Sequence, residues 1–320
     1  MRFLVLGAGA LGGYFGGKLV RGGADVEFLV RPKRAAQLAE HGLVVKTHEG
    51  EIRAPVKTLQ TGQLTHSYEV ILLCCKAYDL DGALADIAPA VGPGSAVLPF
   101  LNGIKHLSIL GDRFGAERVL GGVTAVNAVL ASNGDVVQSP VKIDMTALGE
   151  PGGQRSARCA AIHQAFAAGG IAASVSDDIT AFMWAKLFAF ACIATVATLT
   201  RARAGVVATS ATGASFVSAT IEECGRVVAA EGYPPPAEVV EIVRGLYAQR
   251  QSKYGPSMLV DMEEGRPTEG GHTIGDLVER AARRGVAAPI LTAALCNLQA
   301  YELGRLARCE QTQGERGPLP

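Results

Sequence analysis

Six residues near the start of the chain, Gly7-Ala8-Gly9-Ala10-Leu11-Gly12, have the types and spacing to hold a dinucleotide. Gly7 permits a tight turn, Gly9 lets the backbone approach a pyrophosphate, and Gly12 lets a helix pack closely on a strand. A helix N-terminus behind such a turn offers amide N–H groups and a partial positive charge to phosphates. Arg31 follows, with Lys33 and Arg34 close behind. At that place an acid would bind the ribose 2′-hydroxyl of NAD, and an arginine suits the 2′-phosphate of NADP. The cofactor expected from this pairing is NADP(H). Far downstream, Lys186 is a lone lysine among apolar residues. On spacing alone two readings stay open. It can snorkel to the surface, or sit partly desolvated at a cleft, where burial lowers its pKa toward the range useful for proton transfer.

These residues need elements to place them. Phe3 to Leu6 is an apolar run long enough for one buried strand, and Gly13 to Gly22 reads as a small-residue helix. Strand, glycine turn and helix form the context that gives the motif its meaning. A secretory signal peptide also starts with a basic residue and an apolar run. Eight glycines by Gly23, and a second strand at Asp25 to Val30, argue against it. The pattern then predicts a helix over 35–41, strands near 43–46 and 52–56, and a strand over 69–75 with Lys76 at its carboxyl end. A helix over 79–91 and a strand over 95–100 follow, the latter running into Leu101-Asn102-Gly103.

Such alternation implies a parallel sheet with helices on both faces. Ligands bind outside the carboxyl ends of its strands, and Gly7, Arg31, Lys76 and Asn102 all fall at that edge. Taken singly, Lys76 could be a solvated lysine and Asn102-Gly103 only a turn. From Val119 to Gly149 the pattern suits antiparallel strands finishing the same sheet, before a helix over 154–168 and a last strand over 171–175.

Past Asp177 the texture is helical to about Leu306, broken at Gly205, at Gly232 to Pro236 and at Tyr254 to Pro256. The expected fold is an α/β Rossmann-type doubly wound domain over 1–175, followed by an all-α domain over 176–320. Asp177-Asp178 can cap a helix running through Trp184 and Lys186, on which Phe190, Ile193, Ala194 and Ala197 share the lysine's face. Gln311 to Pro320 reads as a frayed tail. The longest apolar run, Leu187 to Thr200, is shorter than the ~20 residues of a membrane span and reads as a core helix.

Composition narrows the function classes. Apolar residues make up 48% and charged ones 19% of the 320, enough for a large core. Lys+Arg and Asp+Glu balance at 30 each, leaving no basic surplus for nucleic acid or an anionic membrane. Seven cysteines without zinc spacing read as reduced thiols of a cytoplasmic protein. Glu222-Glu223 and Glu263-Glu264 read as exposed helix charge, with no His or further acid at metal-ligand spacing. The apolar richness of the helical half is compatible with a homodimer.

In order along nearly the whole chain, the glycine motif, Lys76, Leu101-Asn102-Gly103, Trp184-Ala185-Lys186-Leu187, and Pro256-Ser257-Met258-Leu259-Val260-Asp261 with Gly265-Arg266-Pro267-Thr268-Glu269 resemble ketopantoate reductase (2-dehydropantoate 2-reductase). The resemblance implies NADPH-dependent reduction of a small 2-keto acid in a cleft between a Rossmann domain and a helical domain, and a place in pantothenate biosynthesis. It assigns the dinucleotide to Gly7, Ala8, Gly9, Ala10, Leu11, Gly12 and Arg31, and its nicotinamide side to Lys76 and Asn102. Lys186 would be the general acid. Ser257 and Asn102 would meet substrate, and Glu269 would help hold the cofactor or the reacting centre. The family's pattern has asparagines where this chain has Phe190, Ala194 and Ala204, so a less polar 2-keto acid is expected. Two alternatives remain: another 2-hydroxy- or 3-hydroxy-acid dehydrogenase of the same plan, or a non-catalytic NADP(H)-binding regulator.

Overall fold

The continuous apolar run at the N-terminus becomes the middle strand of a sheet covered on both faces. The computed structural model describes residues 1–139 and 145–314, with the side chains of 310–314 excepted. The chain forms two compact units, Met1–Met183 and Trp184–Pro320.

The first unit runs β1 (Arg2–Leu6), α1 (Ala10–Arg21), β2 (Asp25–Leu29), α2 (Pro32–His41), β3 (Leu43–Thr47), β4 (Gly50–Ala54), β5 (Lys57–Leu59) and β6 (Val70–Leu73). It continues with α3 (Leu80–Ile87), β7 (Ala96–Pro99), α4 (Lys105–Phe114), β8 (Gly121–Thr124), β9 (Ala128–Leu130), β10 (Val136–Gln138), β11 (Thr146–Gly149), α5 (Ala157–Ala168) and β12 (Ala173–Val175). Five strands, in the order β5-β2-β1-β6-β7, form a wholly parallel sheet. Phe3, Leu4 and Val5 are fully buried, as a strand with helices on both faces requires. The chain leaves β1 toward β2 on one side and later returns to β6 on the other. The order therefore reverses beside β1, where an open α/β sheet binds its ligand.

The helix α1 begins at Ala10, three residues earlier than the glycine pattern indicates. Its glycines serve two faces. A Cβ at Gly12 would lie 2.0 Å from the Gly7 carbonyl oxygen, and one at Gly16 would lie 2.3 Å from the Phe28 ring. On a neighbouring face, Cβ atoms at Gly13 and Gly17 would meet Val136 at 2.5 Å and Val45 at 2.6 Å. The small residues thus thin the helix enough to sit between two sheets.

That second sheet corrects the expectation that the strands of 119–149 finish the parallel sheet. β9 and β10 instead join β3 and β4 in the order β4-β3-β10-β9, while β8 and β11 pair with β12 in a third sheet, β12-β11-β8. Strand alternation does not specify which sheet a strand enters. Val45 and Val136 are drawn to the groove over Gly13 and Gly17. Residues 140–144 of that stretch lie outside the described residues, as do 315–320 of the expected frayed tail.

The second unit takes most of α6 (Ile179–Thr200), then α7 (Ala204–Thr209), α8 (Gly213–Ala230), α9 (Ala237–Ala248), α10 (Ser257–Glu263), α11 (Ile274–Arg284) and α12 (Pro289–Gly314). The sequence changes texture near 174–178, whereas the two units divide at Met183/Trp184, inside α6. Asp178 caps α6 by accepting from the Ala181 amide at 3.0 Å, while Asp177 pairs with Arg155. By length and composition α6 could cross a membrane, but Ala191, Cys192, Ala194 and Thr195 are fully buried. α12 continues to Gly314, through the first residues of the expected frayed tail. Glu223 also departs from expectation. It is buried rather than exposed and accepts the Leu291 amide at 2.7 Å, satisfying a first-turn donor of α12.

Candidate functional site

Four of the expected residues stand at the carboxyl edge of the parallel sheet. Gly7 ends β1 with φ +85°, a conformation open to glycine, and its amide donates to Leu29 O at 2.9 Å. Gly9 precedes α1, whose N-terminus has no side-chain cap and no acid in its first turn. A Cβ at Gly9 would meet no atom within 4 Å, so packing does not demand glycine there. Space beside backbone amides at a helix N-terminus is what a pyrophosphate needs. The cradle Gly7 to Gly12 therefore fits a dinucleotide.

Arg31 follows β2 with an exposed side chain, paired to Asp79 at 2.9 Å. Lys76 follows β6, and Asn102 follows β7 just ahead of α4; both are half-buried. Gly103 takes φ +87°, which turns the chain sharply after Asn102.

In the second unit, Lys186 lies on α6, half-buried. Burial brings its ammonium down to about 8, and the carboxylate of buried Glu269 partly opposes that fall. The structure thus joins Lys186 and Glu269 electrostatically, although 83 residues separate them. A lysine so tuned is a proton donor near neutral pH. Phe190, one turn on, is half-buried, and Ala194 is fully buried. Ala204 is buried at the start of α7, where its amide donates to Tyr254 O at 3.0 Å. Ser257 opens α10 and is exposed. Glu269 follows that helix, and its carbonyl accepts the Thr273 amide and hydroxyl.

Three contributors were not evident from sequence. Arg34 grips the cradle: its Nε donates to Ala8 O at 3.0 Å and its Nη1 to Gly134 O at 3.0 Å. Its position behind Arg31 was visible, but its partner 100 residues away was not. Asp79 reaches Arg31 from beyond β6. Arg280 lies 5.1 Å over the Trp184 ring, which stacks on Tyr233 at 5.2 Å. Asp276 and Glu231 hold that guanidinium at 2.9 and 2.7 Å. This network fixes the rotation of α6 two residues before Lys186.

Comparison with known proteins identifies the family of the chain. A family model described as "Ketopantoate reductase PanE/ApbA" matches residues 3–151, and its C-terminal counterpart matches 178–302. The uncharacterized oxidoreductase YkpB of Bacillus subtilis is 34% identical over 302 residues, covering 94% of this chain and 99% of the relative. The crystal structure of 2-dehydropantoate 2-reductase from Geobacter metallireducens is 27% identical, with a TM-score of 0.84 over 94% of this chain and 99% of that one. A D-mandelate dehydrogenase, solved with NADH and anilino(oxo)acetate, shares the fold at 23% identity, with a TM-score of 0.84 over 95% and 99% of the two chains. The chain belongs to the ketopantoate reductase family and is an NADP-dependent oxidoreductase acting on CH–OH groups.

Proposed function

We propose that this enzyme reduces a 2-keto acid to the 2-hydroxy acid with Lys186 as general acid, and that it favours a keto acid less polar than ketopantoate. The observation that carries the reading is Lys186 itself, tuned to about 8 beside Glu269 with Phe190 one turn away. NADPH, when bound, would supply the hydride. Gly7 to Gly12 would hold its pyrophosphate, Arg31 its 2′-phosphate, and Lys76 and Asn102 its nicotinamide side. As the ketone carbon is reduced, negative charge builds on its oxygen. The Lys186 ammonium stabilises that charge and then delivers the proton. Glu269 keeps the amine protonated between turnovers and helps hold the reacting centre. Ser257 and Asn102 offer hydrogen bonds to the substrate.

The substrate preference follows from three positions of the second unit, Phe190 and Ala194 on the lysine's helix and Ala204 at the start of α7. Phe190, Ala194 and Ala204 provide no amide to a substrate hydroxyl, and a polar group desolvated without a partner is costly. A keto acid with an apolar side chain loses nothing there. The substrates named for the relatives, 2-dehydropantoate among them, belong to the same chemical class. Pantothenate biosynthesis in the cytoplasm is the corresponding pathway if ketopantoate itself is taken.

Lys186→Ala tests the reading. Turnover of NADPH with a 2-keto acid should fall about 100- to 10,000-fold, while the Kd for NADPH, read by nicotinamide fluorescence, stays within about twofold. Undiminished turnover would remove Lys186 from the chemistry.

A further inference from the structure

Arg31 and Asp79 meet over the carboxyl edge of the parallel sheet. Arg31 follows β2, Asp79 follows β6, and β1 lies between those strands. Neighbouring strands stand about 4.8 Å apart, so the pair reaches across two strand spacings beside the glycine turn that ends β1. Guanidinium and carboxylate are 2.9 Å apart, with side chains 82% and 40% exposed. Both are open to a ligand.

The two groups read opposite features of a dinucleotide. A cation at the end of β2 attracts the 2′-phosphate of NADP(H). An acid at the same ribose accepts the 2′-hydroxyl of NAD(H) and repels a phosphate. Here the strand supplies the cation and a turn 48 residues on supplies the acid. We propose that Asp79 is a coenzyme-specificity residue that narrows the preference for NADPH over NADH. Its carboxylate competes with the 2′-phosphate for Arg31 and, with NADH bound, takes the hydrogen bond of the 2′-hydroxyl. The inference rests on the proposed role of Arg31 at the 2′-phosphate.

The test is the ratio of the Kd for NADH to the Kd for NADPH, by nicotinamide fluorescence, in the full-length protein and in Asp79→Asn, Asp79→Glu and Arg31→Ala. Thermal melting confirms that each variant is folded. Asp79→Asn should widen the ratio about two- to fivefold, the scale of an exposed charge pair. Asp79→Glu, which keeps the charge, should stay near the parent value, and Arg31→Ala should bring the ratio toward one. If Arg31→Ala leaves the ratio where it was, Arg31 does not read the phosphate, and both that reading and this inference fall. If Arg31→Ala lowers the ratio but Asp79→Asn leaves it unchanged or narrows it, the inference alone is overturned.

Discussion

At the scale of the residue, the decisive property is the protonation state of Lys186. Desolvation disfavours its ammonium and the Glu269 carboxylate favours it, with a balance near 8. Below that pH the amine carries the proton that the proposed reduction would consume. As pH rises through about 8 the proton is lost, so kcat/KM for keto-acid reduction should fall about tenfold per unit beyond it. Oxidation of the hydroxy acid needs the neutral amine and should rise over the same range. Glu269→Gln removes the group that supports the charge, so the alkaline fall in the reduction profile should move to lower pH. A pH profile of kcat/KM on both proteins checks the sign; a shift to higher pH would contradict this account of Glu269.

At the scale of the element, the turn between β1 and α1 separates fold from function within six residues. Gly12 is required by packing, because a Cβ there would lie 2.0 Å from the Gly7 carbonyl. Gly12→Ala should cost about 1–3 kcal/mol, read by denaturant unfolding. Gly9 has open space around it, so Gly9→Ala should leave stability nearly unchanged and weaken NADPH binding. A Gly9→Ala protein that binds NADPH as well as the parent would show that the dinucleotide does not approach there.

This stretch was legible in the sequence because strand, turn and helix are local and the glycine spacing states their geometry. The second sheet was not. Its strands alternate like any others, and only the paired grooves over Gly13 and Gly17 show why β3 and β10 come together on α1. Glu223 departs from its local pattern for a similar reason: two adjacent acids on a helix read as solvated charge, and the α12 amide that Glu223 accepts lies 68 residues away. Arg280 and Trp184 stand 96 residues apart, and nothing in either local pattern announces their stacking.

At the scale of the whole molecule, each unit carries its own share of the candidate residues. The first carries the proposed dinucleotide residues at one sheet edge, and the second carries Lys186, the proposed proton donor, with Glu269 on a helical scaffold. A formal net charge of zero means that no global field selects an anionic substrate. In the proposed reading, selection rests on Phe190, Ala194 and Ala204, whose side chains offer no amide to a substrate. The most direct test is kcat/KM for NADPH oxidation with ketopantoate and with 2-ketoisovalerate, which lacks the substrate hydroxyl. With the proposed preference, 2-ketoisovalerate and larger apolar 2-keto acids should match or exceed ketopantoate. Reduction of ketopantoate far ahead of every apolar keto acid would contradict it.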